Sequence, residues 1–149
     1  MVDNERLTAK QAEALRVELE ELEGPRRTEI VAAIKKAREF GDLSENFEYH
    51  AAKNEQGFLE AKIRTLRARL DLSEIVEEAG KDAVGIGSVV EVADEAAETM
   101  TIEISALGGT GTVSPTSPLG SALMGHAVGE TVEVSAPRGA WKATVRAIR

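Results

Sequence analysis

Two carboxylates three residues apart, Asp42 and Glu45, stand in the run Phe40-Gly41-Asp42-Leu43-Ser44-Glu45-Asn46. Gly41 is of the type that ends a helix, because glycine alone takes a left-handed backbone at no steric cost. Asp42 with Glu45 reads as a capping box that opens the next helix. The stretch is therefore expected to be a sharp turn between two antiparallel helices, with its acids at the apex. Across a helix start the two side chains can face one point in space. The plain reading is that they only cap. As hard oxygen ligands on an exposed turn they are too few to hold magnesium tightly unless a substrate or partner supplies the rest. Four of the five aromatics (Phe40, Phe47, Tyr49 and Phe58) lie in or just beyond this segment. They are expected to supply the local packing that a free-standing tip needs.

The elements that must carry this turn are long. Thr8 with Gln11 forms a second capping-box signature, which predicts a helix starting at Thr8. Ala12, Leu15, Leu19 and Leu22 then repeat at spacings of three and four, the seam of a coiled coil. Gly24-Pro25 interrupts the seam, since proline removes a donor and crowds the preceding turn. Ile30, Ile34 and Ala37 resume the stripe about one residue out of phase. The outgoing arm is thus expected to be broken or kinked near Gly24 and helical again up to Phe40. After the turn the return arm carries Ala52, Leu59, Ile63, Leu66 and Leu70. Some 30 residues per arm at about 1.5 Å each give roughly 45 Å of reach. A two-helix hairpin buries one face only, and such a shape suits a probe that pushes a few side chains into a deep, narrow place.

Near Gly80 the pattern changes. Gly80, Gly85 and Gly87 mark a linker, and short strands are predicted over Ser88–Val92, Met100–Ser105, Gly111–Ser114, Thr131–Ser135 and Trp141–Ile148. Ser117-Pro118 is an N-cap with proline at the first helical position, so Pro118–Met124 is expected as a short helix closed by Gly125. The fold class is α+β: a helical hairpin over 1–80 with its tip at 41–46, then a small sheet-plus-helix domain over 81–149.

Composition narrows the partners. The chain has 149 residues and a net charge of −8, and residues 1–80 carry 13 Lys+Arg against 18 Asp+Glu. That argues against coating duplex DNA, which needs a basic footprint. There is no cysteine, hence no disulfide framework and no thiolate metal site. The first residues, MVDNERL, lack the apolar core of a signal peptide, and no apolar run approaches a membrane span. A soluble, cytoplasmic monomer without membrane contacts is expected.

The run from Ala37 to Lys53 resembles the tip signature of the bacterial transcript-cleavage factors, the GreA/GreB family, whose pattern reads close to A-R-E-x-G-D-L-x-E-N-x-E-Y-H-A-A-K/R. Ala37, Arg38, Glu39, Gly41, Asp42, Leu43, Glu45, Asn46, Glu48, Tyr49, His50, Ala51, Ala52 and Lys53 all match. SPLGSALMG followed by VGETVEVSAP is similar to the family's C-terminal domain, which is FKBP-like. The resemblance implies that the hairpin enters the secondary channel of bacterial RNA polymerase and stimulates cleavage of the 3′ end of backtracked RNA. Cleavage by two metals needs one ion to activate water and one to stabilise the leaving oxygen. Asp42 and Glu45 would be the catalytic acids and the ligands of a weakly held Mg2+ shared with the polymerase site, with no metal held tightly by the free protein. The chain is then not itself an enzyme. Gly41, Leu43, Asn46 and Tyr49 would support the tip, and the segment Ser117, Pro118, Leu119 would belong to the polymerase-docking domain. The motif match also favours Arg38 and Lys53 as contacts to RNA phosphates, a sequence-independent role. Antiparallel pairing about residue 45 sets these two opposite each other.

For Lys35 and Lys36 the favoured reading is a solvated helix face. Phe47 stands where the family often has a smaller residue, and is either tip packing or a stacking contact. His50 and His126 read as structural, and Trp141 as core. The family usually carries an acidic loop before SPLG, whereas here Ala106-Leu107-Gly108-Gly109-Thr110 is short and neutral. Scarce aromatics in the second domain count against prolyl isomerase activity, which fold likeness alone does not carry. Two rival readings are a non-cleaving binder of the same channel that inhibits polymerase, and an independent metal-dependent nuclease.

Overall fold

Thr8 and Gln11 close their capping box as the sequence predicts: the Gln11 amide donates to Thr8 Oγ1 at 3.2 Å and the Thr8 amide to Gln11 Oε1 at 3.1 Å. This is seen in a computed structural model, which describes residues 5–41 and 46–149. The chain parts into two compact units, one of Glu13–Leu72 and one that joins the residues up to Ala12 with Ser73–Arg149.

In the first unit, α1 (Ala9–Glu21) leads into a π-turn at Leu22–Arg26, then α2 (Arg27–Arg38), and α3 (Phe47–Leu72) returns beside them. At Gly24-Pro25, where a break or kink was expected, the winding changes but the arm is not interrupted. The backbone stays helical and widens by one residue per turn, which accommodates a proline lacking an amide hydrogen. The extra residue also accounts for the shift in phase of the apolar stripe. Leu15, Leu19, Ile30, Ile34 and Ala37 are buried on the outgoing arm, and Ala52, Leu59, Ile63 and Leu66 on the return arm. Among the described residues, ion pairs cross between the arms at Arg27–Glu60 at 2.8 Å, Lys62–Glu18 at 3.4 Å, and Arg67–Glu23. All are substantially exposed, so they set register more than they stabilise.

In the second unit, five strands lie in the order β5-β4-β3-β7-β6: β3 (Val89–Ala93), β4 (Thr99–Ile104), β5 (Thr112–Val113), β6 (Thr131–Ala136) and β7 (Gly139–Ile148). Pairing is antiparallel except between β4 and β5. The sheet is thus mixed. Its inward face, with Val90, Val92, Ile102, Ile104, Val132, Val134 and Val145, packs on Leu123 of α4 (Pro118–Leu123). The core is aliphatic, with Trp141 half-buried at its margin.

The sequence boundary at 80/81 is not where the packing divides. β1 (Arg6–Thr8) pairs in parallel with β2 (Glu74–Val76), a ribbon the apolar pattern does not announce. Val76 packs on the sheet core, and buried Gln11 donates from Nε2 to the Ile104 carbonyl at 3.0 Å. These contacts draw the chain before Glu13 and after Leu72 into the sheet unit.

Candidate functional site

The end of the hairpin is built by one side chain working on both helices. Asn46 Nδ2 donates to the Ala37 carbonyl at 2.6 Å, a second bond to an acceptor near the end of α2 that also takes the Phe40 amide at 3.2 Å. Asn46 Oδ1 accepts the Tyr49 amide at 3.0 Å, the N-cap bond of α3. Gly41 has φ of +100°, the left-handed conformation expected of a residue that ends a helix. α2 itself closes at Arg38, and the amides of Glu39, Phe40 and Gly41 tighten the chain by bonding three residues back. The expected extension of the helix to Phe40 is therefore a tapering turn. Asp42, Leu43, Ser44 and Glu45 lie outside the described residues, so the capping box assigned to Asp42 and Glu45 does too. Among the described residues it is Asn46 that caps α3.

The aromatic packing expected at the tip is absent from the described residues. Phe40, Phe47 and Phe58 are 67%, 87% and 77% exposed. Only Tyr49 is partly sheltered. The Arg38 guanidinium lies over its ring at 5.8 Å, and the His50 ring meets it edge-on at 5.6 Å. Apolar residue type at a turn reports what is available for contact, and local folding did not consume it.

Arg38 and Lys53 come together as antiparallel pairing required. With Lys35, Val31, Ile34 and Gln56 they line one open groove of about 360 Å3 between α2 and α3. Two of its cations come from α2 and one from α3, over an apolar floor. Lys53 Nζ donates to Gln56 Oε1 at 3.1 Å. Lys35 lines this open groove and is exposed, in keeping with a solvated helix face, and it shares that face with Arg38 three residues on.

In the sheet unit, Ser117 caps α4. Its Oγ accepts the Gly120 amide at 3.1 Å and donates to the Ser114 carbonyl at 2.6 Å. A Cβ on Gly120 would stand 1.9 Å from that same Ser114 oxygen, so the SPLG segment admits only glycine there. Pro118 is exposed and Leu119 half-buried against the core. His126 sits beyond α4 with Nδ1 2.5 Å from Glu130 Oε2, and this bond holds the Glu130 carboxyl below its ordinary range. Likewise Glu60, bound through both oxygens by Arg27, is held below the usual carboxylate value.

The described residues thus form a helical hairpin followed by a mixed sheet with one capped helix. The family model described as "Transcription elongation factor, N-terminal" matches residues 5–75. That described as "Transcription elongation factor, GreA/GreB, C-term" matches residues 79–149. Among relatives, the transcription elongation factor GreA of Streptococcus sanguinis is 42% identical over 142 residues, covering 91% of this chain and 89% of its own. That of Caldanaerobacter subterraneus is 41% identical over 151 residues, with 96% of each chain covered. A solved structure of the transcription factor Gfh1 aligns over 100% of this chain and 99% of its own, at 30% identity and a TM-score of 0.50. The chain belongs to the GreA/GreB family of transcription elongation factors.

Proposed function

We propose that the hairpin enters the secondary channel of bacterial RNA polymerase in the cytoplasm and stimulates the polymerase's own cleavage of backtracked RNA. The observation that carries the reading is the groove in which Lys35, Arg38 and Lys53 gather from two helices, at the same end of the hairpin as the Asp42–Glu45 sequence. A single RNA strand offers phosphates at regular intervals, and cations on a rigid pair of helices hold them whatever the bases.

Asp42 and Glu45 present hard oxygens, the donor type that magnesium prefers. When bound there, that ion would supply one half of two-metal chemistry, beside the ion that the polymerase itself holds. Two carboxylates fit as a supplement to a site that the polymerase largely owns, and they leave the free protein without tight metal binding. The chain's own contribution is to carry the acids, to keep the RNA end still through Arg38 and Lys53, and to fix the tip through Asn46, Gly41 and Tyr49. The segment at Ser117, Pro118 and Leu119 docks the sheet unit on the polymerase, with Pro118 outward and Ser117 holding α4 in place. The factor acts as a monomer and cleaves nothing alone.

Adding the purified protein to a halted, backtracked elongation complex with magnesium should release short 3′ RNA fragments. Slowed synthesis without such fragments would instead identify an inhibitor of the same channel, a reading that relatives named as GreA elongation factors do not favour. RNA incubated without polymerase should stay intact.

A further inference from the structure

We infer that Phe47 is a positioning residue that stacks on a base of the single-stranded RNA held at the hairpin end, an assignment that rests on the cleavage-factor reading above. Phe47 is the first residue of α3 and the most exposed large apolar side chain among the described residues, at 87%. Its neighbour Asn46 is tied to both helices, so the phenyl ring projects from a fixed backbone. A ring so exposed contributes nothing to the fold of the hairpin, and water around it costs free energy that any partner face would relieve.

The occupant follows from what stands nearby. The same end of the hairpin carries the three-cation groove, complementary to a phosphodiester chain. A strand held there by its phosphates has unpaired bases, each with a π-face and no partner. Cationic grooves joined to exposed aromatic rings are the usual way to bind single strands without reading sequence. A wall of the polymerase is the other surface that could cover an aromatic ring, but it would not call for the cations that begin within two turns along the same helix. Phe47 directly follows Glu45 and Asn46 in the chain, so a base stacked on it belongs to a nucleotide near the end being cut. Stacking would then restrain the RNA in the geometry that cleavage requires.

The test uses the full chain with its cognate polymerase, in halted complexes that are either backtracked or not. Phe47→Ala should lower the cleavage rate at saturating factor by about tenfold, the scale of losing one base–aromatic contact. Phe47→Trp and Phe47→Tyr should restore it, and Phe47→Leu should not, since leucine is apolar but offers no ring face. Affinity for the complex that is not backtracked should be the same for all four variants. Circular dichroism should show unchanged helicity, because the side chain lies outside the core. Equal cleavage by Phe47→Leu and the parent would overturn the stacking, as would weaker binding of Phe47→Ala to both kinds of complex, which would place the ring on the polymerase wall. Cleavage by the parent with no effect of any substitution removes the stacking alone. No cleavage by the parent removes the reading it rests on, and the stacking with it.

Discussion

The side chain of Asn46 lies 2.6 Å from the Ala37 carbonyl and at the same time receives the Tyr49 amide, so one residue ends α2 and begins α3. Backbone groups at helix ends have no partner within the helix and must find one elsewhere. Here a single side-chain amide group bonds to both helices. Replacing Asn46 with alanine should destabilise the hairpin by about 1 kcal/mol, the usual loss of an N-cap, together with the bond across to Ala37. Asn46→Asp keeps the acceptor for Tyr49 but has nothing to donate to Ala37, and should recover part of the loss. Urea unfolding followed by helical circular dichroism measures both. An alanine variant as stable as the parent would show the bridge to be incidental.

Removing the charge from the acids should separate binding from cleavage. Asp42→Asn and Glu45→Gln keep side-chain size, so each should bind polymerase nearly as the parent does. Each should also lose most of the stimulated RNA cleavage at saturating factor and ordinary magnesium. Raising magnesium should restore some of the activity, because a weakened site fills at higher ion concentration. Full activity in both variants would sink the proposed metal role.

The groove cations act on phosphates and should show it through salt. Arg38→Ala and Lys53→Ala should each slow cleavage, and the double variant should respond less steeply to added salt than the parent does. Arg38→Lys keeps the charge but forfeits the planar group over Tyr49, so it should fall between parent and alanine. The readout is cleavage rate against potassium concentration on a backtracked complex. An unchanged salt slope in the double variant would place the RNA elsewhere.

Acid should loosen the hairpin through Glu60. Its folded-state pKa is lowered from the ordinary 4.5, chiefly by the hydrogen bonds from Arg27. A lowered folded value means that the contribution is fully present above the unfolded value and disappears as pH falls through the folded one. Stability of the parent should therefore drop more between about pH 5 and 3 than that of Glu60→Gln. Unfolding curves over that range give the comparison, and parallel curves would deny Glu60 a part.

Gly120→Ala should be the most damaging single-methyl change in the sheet unit. The added carbon would stand 1.9 Å from the Ser114 carbonyl oxygen, which already accepts the Ser117 hydroxyl. Helix α4 would have to move off the sheet, lifting Leu123 from the core, at a cost of more than about 3 kcal/mol. A thermal melt of the variant close to that of the parent would contradict the close approach.

Where a few neighbouring residues decide the geometry, the sequence is sufficient. Thr8 with Gln11, Gly41, and Ser117 followed by Pro118 each announce a local hydrogen-bond pattern, and each is found. The seam from Leu15 to Leu66 is legible for the same reason, as a period along one helix. What escapes is what depends on residues far apart in the chain. The pairing of Arg6–Thr8 with Glu74–Val76 leaves no periodic trace in three-residue strands. Asn46 looks like any turn asparagine until Ala37 is beside it. The exposure of Phe47 is likewise invisible to residue type, which by itself suggests burial. At the site, the joint placement of Arg38 and Lys53 was readable from antiparallel pairing, whereas the share of Lys35 needed the groove itself.

The π-turn at Leu22–Arg26 also governs aim. Each residue of an α-helix advances the chain by about 100° around its axis, so winding these same residues as ordinary α-helix, without the π-turn, would rotate everything beyond it by about that angle. Ile30, Ile34 and Ala37 would swing out toward water, and Arg38, roughly 18 Å further along, would point away from Lys53. The compass bearing of the working end is thus set by one surplus residue in the shaft.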